Sequence, residues 1–136
     1  VVTPADRGLP KAARLLRPAD FARVYGRKRS AAAGPIVVYA APNSLLDGGV
    51  RLGLSVSRRI GNAVTRNRWK RVLREAFREV RGDLPVGNDF IVVVRSGAAP
   101  AGLEAARHLR ESLVAVARRI VSRAGYAADR GGNGTP

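Results

Sequence analysis

Residues 58–81 read RRIGNAVTRNRWKRVLREAFREVR, and this stretch decides the fold. It holds nine Lys/Arg side chains (Arg58, Arg59, Arg66, Arg68, Lys70, Arg71, Arg74, Arg78, Arg81) and two acids, Glu75 and Glu79. An apolar set is threaded through the charges. At about 100° per residue, Trp69, Val72, Leu73, Ala76, Phe77 and Val80 fall within an arc of about 140°. Arg66, Lys70, Arg74, Arg78 and Arg81 fall within a separate arc of about 120°, with Asn67 and Arg71 at its edge. The two acids lie off that face, beside Arg68. An unstructured basic tail keeps no such stripe. The stretch predicts a helix over 62–81 that docks by one face and offers the other to a polyanion. From Arg66 to Arg81 that face covers ~22 Å at ~1.5 Å per residue, long enough to bridge several phosphates. Gly61-Asn62 ahead of it suits a tight turn and an N-cap, and the amides at that terminus suit a phosphate. Pairs such as Arg71–Glu75 explain the acids as helix support. They do not explain the cations left facing one another.

The flanking segments supply what the apolar stripe docks on. VRLGLSVS (50–57) alternates Val50, Leu52, Leu54 and Val56 with Arg51, Gly53, Ser55 and Ser57, so one face is apolar and the other small and polar. IVVYAA (36–41) reads as a strand, and PNSLLDGG (42–49) is turn chemistry, so these two strands are expected to form a hairpin. FIVVV (90–94) is an apolar run of an interior strand. The passage 50–57, 62–81, 90–94 is compatible with a parallel crossover. A short helix is expected at about 18–25, with Pro18 in its first turn, Phe21, Val24 and Tyr25 on one face, and Gly26 as its stop. RKRS (27–30) is a basic turn or a short edge strand. Residues 103–123 form a last helix, with Leu109, Leu113, Val116 and Ile120 on one face. The order α-β-β-β-α-β-α, counting a short strand near 28–32, gives an α+β fold, an α/β sandwich with helices on a small sheet. Residues 14–124 form one domain, between a mobile Pro/Gly-punctuated 1–13 and a polar tail, 125–136, that includes Tyr126.

Charge sets the class of partner. The 136 residues carry a formal net charge of +15, far beyond what solubility needs. Nucleic acid is the expected partner, with an anionic membrane surface second. Only Lys11, Lys28 and Lys70 are lysines; arginine, which forks onto phosphate and stacks on bases, carries the rest. The chain has no cysteine, hence no disulfide or thiolate metal site. No apolar run reaches membrane-span length, and no signal-peptide core is visible. A cytoplasmic protein is expected. His108, the single histidine, lies in RHLRE without a carboxylate or serine constellation and reads as a surface residue. The acids are scattered singly, so no protein metal cage is expected.

The segment SVSRRIGNAVTRNRWKRVLREAFRE resembles the signature of the bacterial ribonuclease P protein component. Its centre is Arg66-Asn67-Arg68, preceded by Gly61-Asn62-Ala63-Val64 and followed by Lys70-Arg71 and Arg74-Glu75-Ala76-Phe77-Arg78. Phe21 with Val24-Tyr25, the strand around Tyr39, RLGLSVS and DFIVVVR stand in the family's order, so the likeness covers about residues 15–120. The resemblance implies a small α/β sandwich with a left-handed βαβ crossover, against the usual rule. It implies a subunit, one per RNA, that binds the catalytic RNA of ribonuclease P and the 5′ leader of precursor tRNA. The RNA and its Mg²⁺ then remove the leader, and no residue of this chain is catalytic. The RNA-facing role carries onto Arg58, Arg59, Asn62, Arg66, Asn67, Arg68, Lys70, Arg71 and Arg74. A leader cleft carries onto Phe21, Tyr25 and Tyr39, whose rings would stack on unpaired bases, with Val37 beside them and Arg51, Ser55 and Ser57 as a polar floor. Trp69, where the family commonly has a smaller aliphatic, belongs to the apolar stripe and should pack. A structural RNA-binding protein, such as a ribosomal protein, fits charge and fold equally well. A stand-alone nuclease lacks an acid/base or metal constellation.

Overall fold

The computed structural model describes residues 9–126. In chain order the elements are α1 (Pro18–Gly26), β1 (Ser30–Ala33), β2 (Ile36–Pro42), β3 (Arg51–Val56), α2 (Ala63–Val80), β4 (Asn88–Val94) and α3 (Leu103–Val121). Short 3-10 turns sit at Lys11–Ala13, Arg58–Ile60 and Arg81–Asp83. The class is α+β, with the element order read from the sequence.

The sheet order is β1-β2-β4-β3, and this corrects the expected hairpin of 36–41 with 50–57. Those strands are not neighbours. β4 lies between them, antiparallel to β2 and parallel to β3. The reason is hydrophobic. FIVVV is the most apolar run of the chain, and a central slot lets helices cover both its faces; Phe90, Ile91, Val92 and Val94 are all buried. The tight hairpin is instead β1–β2, turned at Gly34-Pro35. The segment after β2 straddles the start of β4: the Asn43 N–H donates to the Gly87 carbonyl at 2.8 Å, and the Gly87 N–H to the Gly48 carbonyl at 2.7 Å. β3, α2 and β4 form the parallel crossover.

Strand alternation sends the two faces of the sheet to different cores. Ile36, Val38, Ala40, Leu52, Phe90, Val92 and Val94 join the α2–α3 layer in the large core. Trp69 is fully buried there, and its indole N–H donates to the Gly97 carbonyl at 3.1 Å. Leu73, Ala76, Phe77 and Val80 are buried beside it, while Val72 is partly covered. From α3 come Leu109, Leu113, Val116 and Ile120. The opposite face carries a small core of Leu15, Val24, Ala41 and Ile91, against which Phe21, Tyr25, Tyr39 and Val93 pack.

Three boundaries differ from the sequence reading. Leu9 and Ala13 are buried, and the Leu15 N–H donates to the Leu52 carbonyl at 2.8 Å, so the chain joins the fold from residue 9 and not from 14. Residues 1–8 of the expected mobile segment lie outside the described residues. Tyr126 is buried too: its hydroxyl hydrogen-bonds the Asn88 side-chain oxygen at 2.6 Å, so it belongs to the core and not to a tail. Residues 127–136 lie outside the description. Gly26 does not stop α1, which includes it; the chain turns at Lys28, in the left-handed region with φ 56°.

Candidate nucleic-acid interface

The basic helix is placed by its apolar stripe. With Trp69, Leu73, Ala76, Phe77 and Val80 against the sheet, the opposite face has to look outward. Arg58 and Arg59 stand exposed on the 3-10 turn that enters it, and Asn67, Arg68, Arg71 and Arg74 are exposed along it. Arg66 and Lys70 are half-buried. The Asn62 side chain caps the helix by accepting from the Thr65 N–H at 3.0 Å. The Arg66 side chain donates back to the Gly61 carbonyl at 3.2 Å, which fixes the bend at the helix start. Glu79 pairs with Arg110 of α3 at 3.3 Å and more loosely with its neighbour Arg78 at 3.9 Å, so this acid ties two helices together and screens only the far end of the basic face.

Arg14 is a member of this face that sequence reasoning missed. With Lys70 and Arg74 it rims a small cavity of about 110 Å³ over Leu52 and Leu54. Partial burial, with the nearby charge of Arg14 adding to it, pulls the Arg74 guanidinium below the ordinary arginine value. It stays protonated at neutral pH. No helical periodicity points to Arg14, which enters the face from the N-terminal segment through the Arg14–Leu52 bridge.

The second part of the interface follows from strand register. On the α1 side of the sheet, Ala41, Asp89 and Arg51 form one cross-strand row, and Tyr39, Ile91 and Gly53 the next. Ala32, Val37, Val93 and Ser55 form a third. α1 packs over the first two rows, and Val93 of the third is partly buried against the small core. Phe21 lies directly over Gly53, where a Cβ would stand 2.8 Å from the Phe21 Cζ. The ring centroids of Phe21 and Tyr25 are 6.3 Å apart. Tyr25 meets Tyr39 edge to face at 4.9 Å. The third row stays open as a strip across the strands, walled on one side by these rings. The other wall is Arg95, whose Nε and Nη2 both donate to the Gly34 carbonyl. At its β3 end the strip opens into a cavity of about 520 Å³ lined by Ser55, Ser57, Val93 and Arg95, with Arg59 at its lip. Phe21, Tyr25, Val37, Tyr39, Ser55 and Ser57 are thus brought together, and Arg59 links them to the basic helix.

Arg51 departs from the sequence reading. It is bound to Asp89 by a two-pronged contact, Nε to Oδ1 at 2.9 Å and Nη2 to Oδ2 at 2.8 Å, at the covered end of the sheet. It anchors α1 and does not line the strip. Arg23 of α1 also donates to Asp89 Oδ2, and Asn43 donates to Oδ1 at 3.0 Å. Burial pushes the Asp89 carboxyl up. Hydrogen bonds from Arg51, Asn43 and Arg23, with the Arg51 charge, outweigh it and hold the group below the usual carboxylate range. The bond to Asp89 in turn raises the Arg51 guanidinium. Sequence reasoning missed Asp89 because an acid beside a strand reads as its boundary. The available signal was its place ahead of a five-residue apolar run in a chain with few acids.

Comparison with known proteins agrees with this geometry. Residues 9–121 match the model of the Ribonuclease P family. The ribonuclease P protein component of Brevibacillus brevis is 41% identical over 106 residues, covering 78% of this chain and 81% of the relative. The solved RNase P protein of Staphylococcus aureus superimposes with a TM-score of 0.65 at 36% identity, over 82% of this chain and 97% of that one. That of Thermotoga maritima gives 0.62 at 29% identity, over 78% and 96%. The chain therefore belongs to the ribonuclease P protein family.

Proposed function

We propose that this chain is the protein subunit of a ribonuclease P, where it binds the catalytic RNA through α2 and holds the single-stranded 5′ leader of precursor tRNA in the strip. The observation that supports this best is the junction of two unlike surfaces at Arg59. One is a helix face dense in cations and short of acids, suited to a folded RNA backbone. The other is a shallow strip walled by aromatic rings, suited to unpaired bases. A folded RNA with a single-stranded substrate beside it uses both. Stacking on rings makes no demand on base identity, so the strip should accept many leader sequences.

The chain supplies position and charge. Arg58, Arg59, Arg66, Arg68, Lys70, Arg71, Arg74 and Arg14 lower the repulsion between RNA and substrate backbones. Asn62 and Asn67 add neutral hydrogen bonds. Tyr25, Tyr39, Phe21 and Val37 restrain the leader so that the scissile bond is presented in one register. Among the described residues no three His, Cys, Asp or Glu side chains group to hold a metal ion, and a cationic face repels one. Mg²⁺ fits the RNA partner better, and there it supplies the hydrolytic chemistry. We place the complex in the cytoplasm, with one protein per RNA; no described helix is long and apolar enough to cross a membrane.

The deciding experiment is cleavage of precursor tRNA at low Mg²⁺ by the cognate RNA, with and without this protein. Stimulation is expected. Its absence sinks the proposal, and cleavage by the protein alone points to a nuclease instead.

A further inference from the structure

We propose that the β1 edge of the sheet carries a second phosphate track, which takes the part of a leader lying beyond the strip. The proposal rests on the leader reading above and extends it.

The path follows from register. The strip runs across the strands, from Ser55 through Val93 and Val37 to Ala32. At ~4.8 Å between strands its length is ~14 Å, room for only a few nucleotides. A longer strand that enters beside Arg59 has to leave over β1.

Cations wait there. The Ala40 N–H donates to the Arg29 carbonyl, so by antiparallel alternation the Ser30 and Ala32 carbonyls point away from β2. Arg119 of α3 reaches round the edge and donates to the Ala32 carbonyl at 3.3 Å. Arg123, just past α3, donates to the Ser30 carbonyl at 2.5 Å. Both are exposed, and each is held here by one terminal nitrogen out of a fork of five N–H donors. Two residues along a strand span ~7 Å, close to the spacing of phosphates in an extended chain. Arg29 lies close by, its Nη2 against Gly125. Five of the eight described acids are paired elsewhere: Asp20 and Asp89 with Arg23 and Arg51, Glu79 with Arg110 and Arg78, Glu104 and Glu111 with Arg107.

Two local features sharpen the inference. Lys28, exposed at the end of α1, sits at φ 56°, a conformation that costs any residue but glycine backbone energy. A glycine would relax the turn, so keeping a lysine there trades stability for a charge. Next to it, both terminal nitrogens of Arg27 are buried without a hydrogen-bond partner among the described residues. That charge adds to the positive potential of this edge.

The test uses the assembled complex with the cognate ribonuclease P RNA. Precursor tRNAs carry leaders that end within the strip or run several nucleotides beyond it. The variant combines Lys28→Gly, Arg119→Gln and Arg123→Gln. Glutamine removes each charge while keeping a polar side chain at the edge, and glycine removes strain at residue 28, so a urea titration should show that the variant stays folded. Wild type is expected to bind the long leader more tightly than the short one. The variant should bind both alike, with a loss of about tenfold confined to the long leader and a salt slope lower by about 2. Tyr39→Ala reports on the strip alone, since it should weaken both leaders and spare mature tRNA. If Tyr39→Ala spares every substrate, the leader reading of the strip fails on its own evidence. An equal loss by the triple variant for long leader, short leader and mature tRNA overturns the track, because the edge then meets the catalytic RNA. No change with any substrate overturns it as well, leaving a solvated edge.

Discussion

The two faces of one sheet are built to opposite rules. Under α2 and α3 the face is dry, continuous and closed by large side chains such as Trp69, Phe77 and Phe90. Under α1 it has four fully buried apolar residues, a row left open, and a helix fastened by a buried carboxylate. Both faces belong to the same strands, so the difference lies in what alternate residues are asked to do. The even positions of β2 and β4 build stability. The odd positions trade burial for access, and Asp89 supplies by ion pairing the attachment that apolar area there cannot.

The largest effect that tests this contrast is on the closed face. Trp69→Ala should cost about 3–5 kcal/mol, because it leaves a cavity where no neighbour can collapse. Urea unfolding measures it; a loss below about 1 kcal/mol means that the large core is not what holds α2. On the open face, Asp89→Ala strands Arg23 and Arg51 at the sheet end and should cost about 3 kcal/mol. This contribution also depends on pH. The folded carboxyl titrates below its unfolded value, so its stabilisation is complete above the ordinary carboxylate range. It is lost as pH falls through the folded value. Acid unfolding of wild type and variant should therefore converge at low pH, and parallel curves break the assignment.

Gly53→Ala probes access rather than anchoring. The added methyl meets Phe21 Cζ at 2.8 Å and Leu15 Cβ at 3.2 Å, so α1 has to lift, at about 1–2 kcal/mol. Binding of leader-bearing substrates should fall while affinity for the catalytic RNA stays as it was; equal losses deny that the faces are separable. The smallest effect is on the outer surface of α2. Arg68→Ala should leave stability within about 0.5 kcal/mol. It should weaken RNA binding and reduce the salt slope by just under 1. An unchanged slope argues against a phosphate contact at this position.

The same contrast explains what the sequence revealed. α2 was legible because one helix carries a stripe and a counter-stripe, and helical phase is local. The aromatic wall was legible only through resemblance, since Phe21 and Tyr25 at helical spacing look like core. Strand order was not legible. Alternation tells which way a side chain points but not which strand lies alongside, and the hairpin was inferred from proximity in sequence. Asp89 and Arg51 were missed as a pair for the same reason: they are cross-strand partners on strands joined through α2. Leu9 was hidden by the prolines and glycines around it.

The arginines that reach the β1 edge have one more consequence. An edge strand with free carbonyls invites any extended chain to add itself to the sheet. Here the outward carbonyls of Ser30 and Ala32 are already occupied by guanidinium groups. On the far side, the Leu52 carbonyl of β3 is taken by the Leu15 N–H. Among the described residues, these three edge carbonyls are thereby closed to a further strand. Charged side chains do this work without the extra helix that a more apolar edge would need.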